Sequence, residues 1–521
     1  MNLLRATATI GSLTLLSRIA GFGRDVLMAR VLGAGMAADV FLIAFRLPNL
    51  FRALFAEGAF SAAFVPMFNR QVGADGGDLG RAKRFAEDVL SVLLPVLVVF
   101  TGVMVLLAGP VVWALTGGFA GDDSQKFALA VDFTRLTFPY LLLISLVSLM
   151  GGILNSLGRF WINAAAPILL NLVLIGGLVF SNGADKVDAA RVQALCVSLA
   201  GIAQFMWLLW ACLRADIKLR LRAPRLGEQV RKLMRLIVPA ALGAGAVQVN
   251  LLISTALAAR FLPEGAVSWL YYADRLNQLP LGIIGIGVGT ALLPALSRQL
   301  GAGDAEAAVR TQNRAIELVL LLTLPAAAGL AVAAGPIIHG LLEYEAFQAA
   351  DTAATAAALA AFALGLPAYV LIKVLTPGFH ARSDTSTPVR IAVASMLVNL
   401  VGNLLLIWSL GHVGIALSTA AAAWVNAAVL FIVLRRRGHF AMDARLLRAL
   451  PRLGLAAGLM VAALLALGPA VAGLMAGPLP WRAMGLLVLI GGGGLAYLVA
   501  VRLTGVFTLA ELKAQFRRGK K

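Results

Sequence analysis

Apolar residues occupy this chain in long continuous blocks rather than in alternation with polar residues. Ten blocks of about 20 residues lack Asp, Glu, Lys and Arg, and an eleventh, 391–434, is long enough for two helices. The ten blocks are 89–115, 136–158, 160–184, 192–213, 236–259, 276–297, 318–342, 352–372, 453–481 and 483–501. A helix needs about 20 apolar residues to cross a bilayer, and Gly411-His412-Val413-Gly414 offers a turn within the eleventh block. The pattern therefore predicts twelve membrane spans.

The first 65 residues are also largely apolar, although arginines interrupt them. Gly33-Ala34-Gly35 divides them into two segments of spanning length, which brings the predicted total to 14. With the N-terminus in the cytoplasm, 30 of the 44 lysines and arginines lie on the cytoplasmic side and six on the other. Because cytoplasmic loops are enriched in these residues, the sequence predicts an all-α polytopic membrane protein with 14 transmembrane helices and both termini cytoplasmic.

Composition excludes most other classes of protein. Of 521 residues, 60% are hydrophobic and 13% charged, against about 25% charged in an average soluble domain, and the mean hydropathy is +0.89. A soluble enzyme, a disordered chain and a disulfide-rich secreted domain are excluded together. The net charge of +19 fits basic cytoplasmic loops facing anionic lipid better than it fits nucleic-acid binding.

The sequence contains no motif that predicts a disulfide, a metal site or ATP binding. Cys196 and Cys212 lie about 24 Å apart along one helix and are not expected to pair. The four histidines are scattered and predict no metal site. No GxxxxGK[ST] phosphate loop is present, so the chain itself is not expected to hydrolyse ATP. We therefore expect no cofactor, with the membrane potential or a monovalent ion as the candidate driving force.

Eight cations fall inside or at the edge of predicted spans, where a charge near the bilayer centre costs at least about 2.5 kcal/mol. They are Arg18, Arg24, Arg46, Arg52, Arg135, Arg275, Lys373 and Arg502. Candidate carboxylate partners are Asp25, Asp39, Glu57 and Asp274. One interpretation is that such pairs only neutralise each other and lock helices together. We apply it, or snorkelling to the interface, to Arg46, Arg135 and Arg502.

A functional interpretation applies better to Arg18, Arg24, Arg52 and Arg275. Arg18 lies about ten residues into the first helix, near mid-membrane. Arg52 shares a helix face with Asn49 three residues earlier. The arginine fork suits bidentate phosphate contact, and polar residues at membrane depth usually line a cavity. The sequence thus favours a carrier for a phosphorylated or otherwise anionic substrate.

Several motifs closely resemble those of the MurJ (MviN) lipid II flippases. The resemblance covers essentially the whole chain and is most specific in the first 70 residues and in 266–298. Its motifs include Ser17-Arg18, Gly21-Phe22-Gly23-Arg24-Asp25, Leu32-Gly33-Ala34-Gly35, Arg46-Leu47-Pro48-Asn49-Leu50, Phe55-Ala56-Glu57-Gly58-Ala59-Phe60, Thr137-Phe138-Pro139-Tyr140, Ser268-Trp269-Leu270-Tyr271-Tyr272-Ala273-Asp274-Arg275 and Pro377-Gly378-Phe379.

The resemblance implies a fold of the multidrug/oligosaccharidyl-lipid/polysaccharide exporter superfamily. Six-helix lobes are then expected at 1–222 and 223–440, followed in 441–521 by two extra helices that form a groove for a lipid tail. The implied activity is flipping of lipid II, an undecaprenyl-pyrophosphate disaccharide-pentapeptide, from the cytoplasmic to the periplasmic leaflet of the bacterial inner membrane by alternating access, for cell-wall synthesis.

The resemblance also implies roles for individual residues. Arg18, Arg24, Arg52 and Arg275 match essential arginines of the family, and Asn49 and Ser268 fall on cavity positions. Asp25, Asp39, Glu57, Asp274 and Gln278 are then gating residues or charge partners. Gln278 replaces an acidic residue of some relatives, so a carboxylate role there is in doubt. Implied partners are lipid II, membrane phospholipids and cell-wall synthesis proteins.

Other functions stay open on the residues alone. A drug exporter of the same superfamily would want acidic cavity residues for cationic drugs, whereas the candidates here are mainly basic. A polysaccharide-lipid exporter shares the chemistry and is separated only by the motifs. A non-transporting scaffold for wall-synthesis enzymes would need no buried arginines.

Overall fold

A computed structural model describes residues 3–52, 59–74, 79–119 and 124–505, which form helices and connecting turns. In chain order the helices are α1 (Leu3–Leu32), α2 (Met36–Arg52), α3 (Ala59–Ala74), α4 (Gly80–Leu106), α5 (Ala108–Thr116), α6 (Ser124–Thr137), α7 (Pro139–Ser156), α8 (Phe160–Phe180), α9 (Lys186–Arg214), α10 (Glu228–Phe261), α11 (Ala266–Gly301), α12 (Ala305–Val332), α13 (Ala334–Leu342), α14 (Ala349–Ala363), α15 (Leu366–His380), α16 (Ser386–Arg436), α17 (Ala444–Met475) and α18 (Leu479–Leu503). The predicted all-α class is confirmed for these residues.

Local chemistry explains several helix ends. The carboxylates of Asp185, Asp304 and Asp443 cap α9, α12 and α17 by accepting backbone N–H groups of the first turn. Gly33, which follows α1, has a φ of 71°. A Cβ at this position would lie 2.4 Å from the carbonyl oxygen of Ala346, so the close approach of these two loops requires glycine.

The turn predicted within 391–434 is confirmed. Gly411 has φ 57° and ψ −133°, which breaks α16 into two arms. The amide of Asn399 on the first arm donates to Thr419 Oγ1 on the second over 3.1 Å. Asn403 donates to Asn399 Oδ1 over 3.1 Å. The arms therefore form an antiparallel hairpin joined by polar side chains, as expected for asparagines inside spans.

Among the described residues, nine helical segments are long and apolar enough to cross a membrane by length and composition. One of them is α16 with its two arms. Large apolar side chains such as Phe180, Leu405, Trp408 and Leu503 are exposed on these segments, which is the arrangement expected of a lipid-facing surface. The total of 14 spans and the orientation of the termini stay predictions.

The chain divides into two compact units. The first contains Met1–Ser268 and Tyr344–Phe347. Within it α1 packs along α8, α7 and α8 pack against α9, and α10 contacts α2 to α5. Neither the Gly21-Phe22-Gly23 segment of α1 nor Pro48 of α2 interrupts its helix.

The second unit contains Trp269–Glu343 and Gln348–Lys521. Within it α17 packs along α18 and also against α12, while α15 packs on α16. The hydroxyl of Tyr497 on α18 donates to the Leu321 carbonyl of α12 over 2.8 Å, which fixes the last helix pair to the rest of the unit. This division assigns α10 to the first unit, and the lobe boundaries after residues 222 and 440 stay predictions.

Candidate functional site

Arg24 lies buried on α1 in a polar cluster with α8. Its Nε and Nη2 donate to Asp25 Oδ1 over 3.0 and 2.6 Å, and its Nη1 donates to Asn171 Oδ1 over 3.2 Å. The Asn171 amide in turn donates to the Ser17 carbonyl over 3.0 Å. In this structure Arg24 thus pairs with Asp25 and joins two helices, which is the locking role considered for such pairs in the sequence.

Arg18 lies on a different face of α1 from Arg24. Six residues separate it from Arg24, and α1 is continuous between them, so the two side chains leave the helix about 120° apart. The Arg18 side chain is exposed, whereas that of Arg24 is buried. The two arginines of the first span are therefore differently placed to meet a ligand.

Arg52 and Asn49 lie together at the end of α2, as their spacing predicts. The Arg52 Nε donates to Asn49 Oδ1 over 3.1 Å, and both side chains are half-buried. Glu57, a predicted charge partner, lies outside the described residues. Asn49 therefore orients the guanidinium of Arg52.

Asp39 caps the beginning of α11. Its carboxylate accepts the backbone N–H groups of Gly265 and Ser268 over 2.8 and 2.9 Å, and the Ser268 hydroxyl over 2.6 Å. The Lys126 Nζ lies 4.0 Å from Asp39 Oδ2. Asp39 was predicted as a partner for an intramembrane arginine. Its observed ion pair is with Lys126 of α6 instead, and the carboxylate mainly satisfies unpaired amides at a helix N-terminus.

Two connections of the first unit meet near this cap. The Glu264 carboxylate accepts the Met36 amide over 2.5 Å at the start of α2. The Ala346 amide donates to the Arg30 carbonyl over 3.2 Å, and Arg30 Nη2 pairs with the Glu345 carboxylate. The hydrogen bond from Arg30 holds the pKa of Glu345 below its ordinary value. The connection from α1 to α2 is thus fixed by residues far apart in sequence.

We predict that Asp39→Ala weakens this end of the first unit by about 3 kcal/mol, because a charged acceptor of three hydrogen bonds is lost. Ser268→Ala removes one of the three and should cost about 1 kcal/mol. Thermal unfolding of the purified protein and hydrogen exchange at the Gly265 and Ser268 amides measure both effects. Equal losses in the two variants would contradict the capping role of Asp39.

Arg275 is half-buried on α11 in the second unit. Its Nη2 donates to the Tyr271 hydroxyl over 3.2 Å, and its Cζ lies 5.5 Å from the centre of that ring. The neighbouring Asp274 accepts a hydrogen bond of 2.5 Å from Gln278. The hydroxyl and ring of Tyr271, one turn earlier, therefore both contact the Arg275 guanidinium. Gln278 donates to the Asp274 carboxylate, which an acidic side chain at position 278 would repel.

The structure brings the predicted residues together in separate groups. The first unit holds Arg24 with Asp25, Arg52 with Asn49, and Asp39 with Ser268, whereas Arg275, Asp274 and Gln278 belong to the second unit. Sequence reasoning missed Asn171 and Lys126. Asn171 had a signal, because it is one of two amides, with Asn163, in an otherwise apolar span.

Chemically these groups provide hydrogen-bond donors and positive charge rather than nucleophiles or metal ligands. No group of three or more His, Cys, Asp or Glu side chains in the described ranges could hold a metal ion. The two cysteines are buried and unpaired with each other, as predicted. Half-buried guanidinium groups suit the recognition of an anionic ligand.

Comparison with known proteins agrees with this chemistry. Residues 28–478 match the family model described as "Lipid II flippase MurJ". A probable lipid II flippase MurJ of Rhizobium tropici is 47% identical over 451 residues, covering 86% of this chain and 84% of that protein. One of Rhizobium meliloti (strain 1021) is 44% identical over 524 residues, covering 100% and 97%.

A solved structure described as "Lipid II flippase MurJ, inward closed conformation" shares the fold with a TM-score of 0.78. Its sequence is 23% identical, and the match covers 95% of this chain and 98% of that one. The family model alone spans most of the sequence, including Arg52 and Arg275. The chain therefore belongs to the MurJ lipid II flippase family.

Proposed function

We propose that this protein flips lipid II from the cytoplasmic to the periplasmic leaflet of the bacterial inner membrane by alternating access, for cell-wall synthesis. The observation that carries the proposal is that Arg52 in the first unit and Arg275 in the second are each half-buried on a helix within the family match. The Arg52 guanidinium contacts Asn49 and that of Arg275 contacts Tyr271, and a half-buried guanidinium group suits contact with a diphosphate. Relatives at 44–47% identity are named probable lipid II flippases, which supports the proposal.

The other predicted residues enter the proposal in different ways. Arg18, exposed on α1, adds positive charge. Arg24 contributes to ligand binding only by exchanging its contacts with Asp25 and Asn171. Asp39 and Ser268 fix the start of the helix that carries Arg275, and act as positioning residues.

The undecaprenyl tail is proposed to lie along α17 and α18. This helix pair presents exposed leucines such as Leu459, Leu465 and Leu498, and Tyr497 anchors it. The head group, being charged and hydrated, is the part that needs the protein, since polar groups cross hydrocarbon only at high cost. We propose the membrane potential or a monovalent ion as the driving force, at about 2.3 kcal/mol per charge per 100 mV, and phospholipids and cell-wall synthesis proteins as further partners.

The test is leaflet accessibility of newly made lipid II. The protein is depleted in its host, and a lipid II-cleaving enzyme is added from outside the cytoplasmic membrane. We expect cleavage to stop while lipid II accumulates, and re-expression to restore it. Exposure at the normal rate after depletion, in a strain without a second flippase, would refute the proposal and favour an exporter of another substrate or a scaffold.

A further inference from the structure

The segment between α9 and α10 forms an exposed basic surface on the first unit. Residues 214–235 contain eight lysines and arginines against two acidic residues. The sequence predicts an amphipathic linker here. The chain leaves α9 at Arg214, folds back so that the Ile217 amide donates to the Cys212 carbonyl over 2.9 Å, and runs without helix until α10 begins at Glu228. We call 214–235 the basic surface.

The non-helical part of the basic surface is clamped to α4 by one carboxylate. The Glu87 side chain, 2% exposed, accepts the Arg220 amide over 3.1 Å and lies 2.7 Å from the Arg222 Nε. Ile217 is buried next to this contact in sequence. The buried Ile217 and the contacts of Glu87 with Arg220 and Arg222 therefore fix residues 217–222 on the first unit.

The clamped segment points apolar side chains outward. Leu221 and Leu226 are 68% and 63% exposed, and each follows an arginine directly in the sequence, Arg220 or Arg225. An exposed leucine beside an arginine suits a membrane interface, where the leucine enters the acyl region and the arginine remains at the phosphates.

The first turns of α10 continue this pattern. Val230 and Leu233 are buried against the unit, whereas Arg231, Lys232 and Arg235 are exposed. These three exposed cations of the helix add to the positive charge of the preceding segment, in which Lys218 pairs with Asp216 and Arg222 with Glu87.

An aromatic cluster beside this surface indicates an interfacial position. The ring of Trp207 lies 5.3 Å from that of Trp210 and 5.9 Å from that of Trp161, and the Arg214 Cζ lies 4.4 Å from the centre of the Trp210 ring. Trp161 and Trp210 are exposed. Tryptophans are enriched at membrane–water interfaces, and Arg214 begins the basic surface directly after them.

We propose that the basic surface binds the head groups of anionic glycerophospholipids in the cytoplasmic leaflet, with Leu221 and Leu226 inserted beneath the phosphates. Anionic lipid is the occupant that complements both features, since each Lys or Arg near such a surface gains about a fivefold preference and the leucines gain burial. This binding is separate from the flipping of lipid II and adds a lipid requirement to it.

The experiment places a fluorophore on Leu226→Cys in the full-length protein, since Cys196 and Cys212 are buried. The labelled protein is reconstituted in nanodiscs of phosphatidylcholine, with or without phosphatidylglycerol, and quenched by spin-labelled versions of each lipid. We expect quenching by the phosphatidylglycerol to exceed that by phosphatidylcholine about tenfold at equal content. No lipid II is present, so the outcome does not depend on the proposed transport.

The deciding variant replaces four exposed cations of the basic surface by glutamine and leaves Arg222 on Glu87. It changes Arg220, Arg225, Arg231 and Lys232. A control with the same change in net charge replaces four other exposed arginines, Arg310, Arg390, Arg435 and Arg448. We expect the preference for phosphatidylglycerol to fall to near one in the first variant and to persist in the control.

Two results would overturn the proposal. Equal preference in the variant and the control would show that the basic surface does not select the lipid. Quenching of the label by aqueous iodide but by neither lipid would show that the surface faces water, as a docking surface for a cytoplasmic protein would. Size-exclusion profiles identical to the parent confirm that each variant is folded.

Discussion

Arg275→Ala is expected to lower lipid II exposure at the periplasmic face about a hundredfold while leaving the protein in the membrane at its normal level. The variant removes a charge-assisted contact to the diphosphate worth up to about 3 kcal/mol. Its structural cost should be smaller than that of removing a buried arginine, because the side chain is only half-buried. The external cleavage assay and membrane quantification measure the two quantities.

Three further variants show which property of Arg275 is needed for transport. Arg275→Lys keeps the charge but loses the fork, so we expect an intermediate loss of about tenfold. Tyr271→Phe removes only the supporting hydroxyl and should have a smaller effect. Arg135→Ala serves as the matched control, since this exposed arginine of α6 is assigned to the interface and its loss should leave exposure unchanged. Normal transport by Arg275→Ala would remove this residue from the substrate site and favour the scaffold alternative.

Arg24→Ala is expected to lose the folded protein as well as transport. The substitution leaves the buried Asp25 carboxylate without its guanidinium and breaks the link to Asn171. Removing one partner of a buried ion pair costs about 3–5 kcal/mol, which is a large part of an ordinary folding free energy. Membrane abundance and the thermal unfolding midpoint should both fall.

The double variant Arg24→Met/Asp25→Asn separates structure from function. It removes both charges at similar volume, so we expect abundance and thermal stability to recover substantially. If Arg24 also binds the diphosphate, transport by the double variant stays at background. If transport recovers with abundance, Arg24 has only the locking role that its contacts to Asp25 and Asn171 display in the structure.

The features that follow from local spacing were predictable from the sequence. The apolar blocks predicted helices, the glycines at 411–414 predicted the turn of the α16 hairpin, and the three-residue spacing of Asn49 and Arg52 predicted their contact. Each depends on helix geometry or on the conformational preferences of residues close in sequence.

The features that depend on distant segments were not predictable. Asp39 caps a helix that begins more than 220 residues later, and its ion pair is with Lys126 rather than with an arginine. Asn171 accepts a hydrogen bond from Arg24, which lies 147 residues earlier in the sequence. A charge within a span requires a partner, but its identity is decided by which helices pack together, and this is a tertiary property that residue spacing does not encode.

The hairpin of α16 has a consequence for biogenesis. Asn399 and Asn403 would be costly in lipid on a lone helix, yet Asn399 bonds to Thr419 on the arm that directly follows in the chain. The amide N–H groups of both asparagines thus find acceptors within the hairpin as soon as the second arm emerges from the ribosome. The two arms should therefore leave the insertion machinery as a pair, and a truncation after Arg436 should integrate more efficiently than one after Gly411.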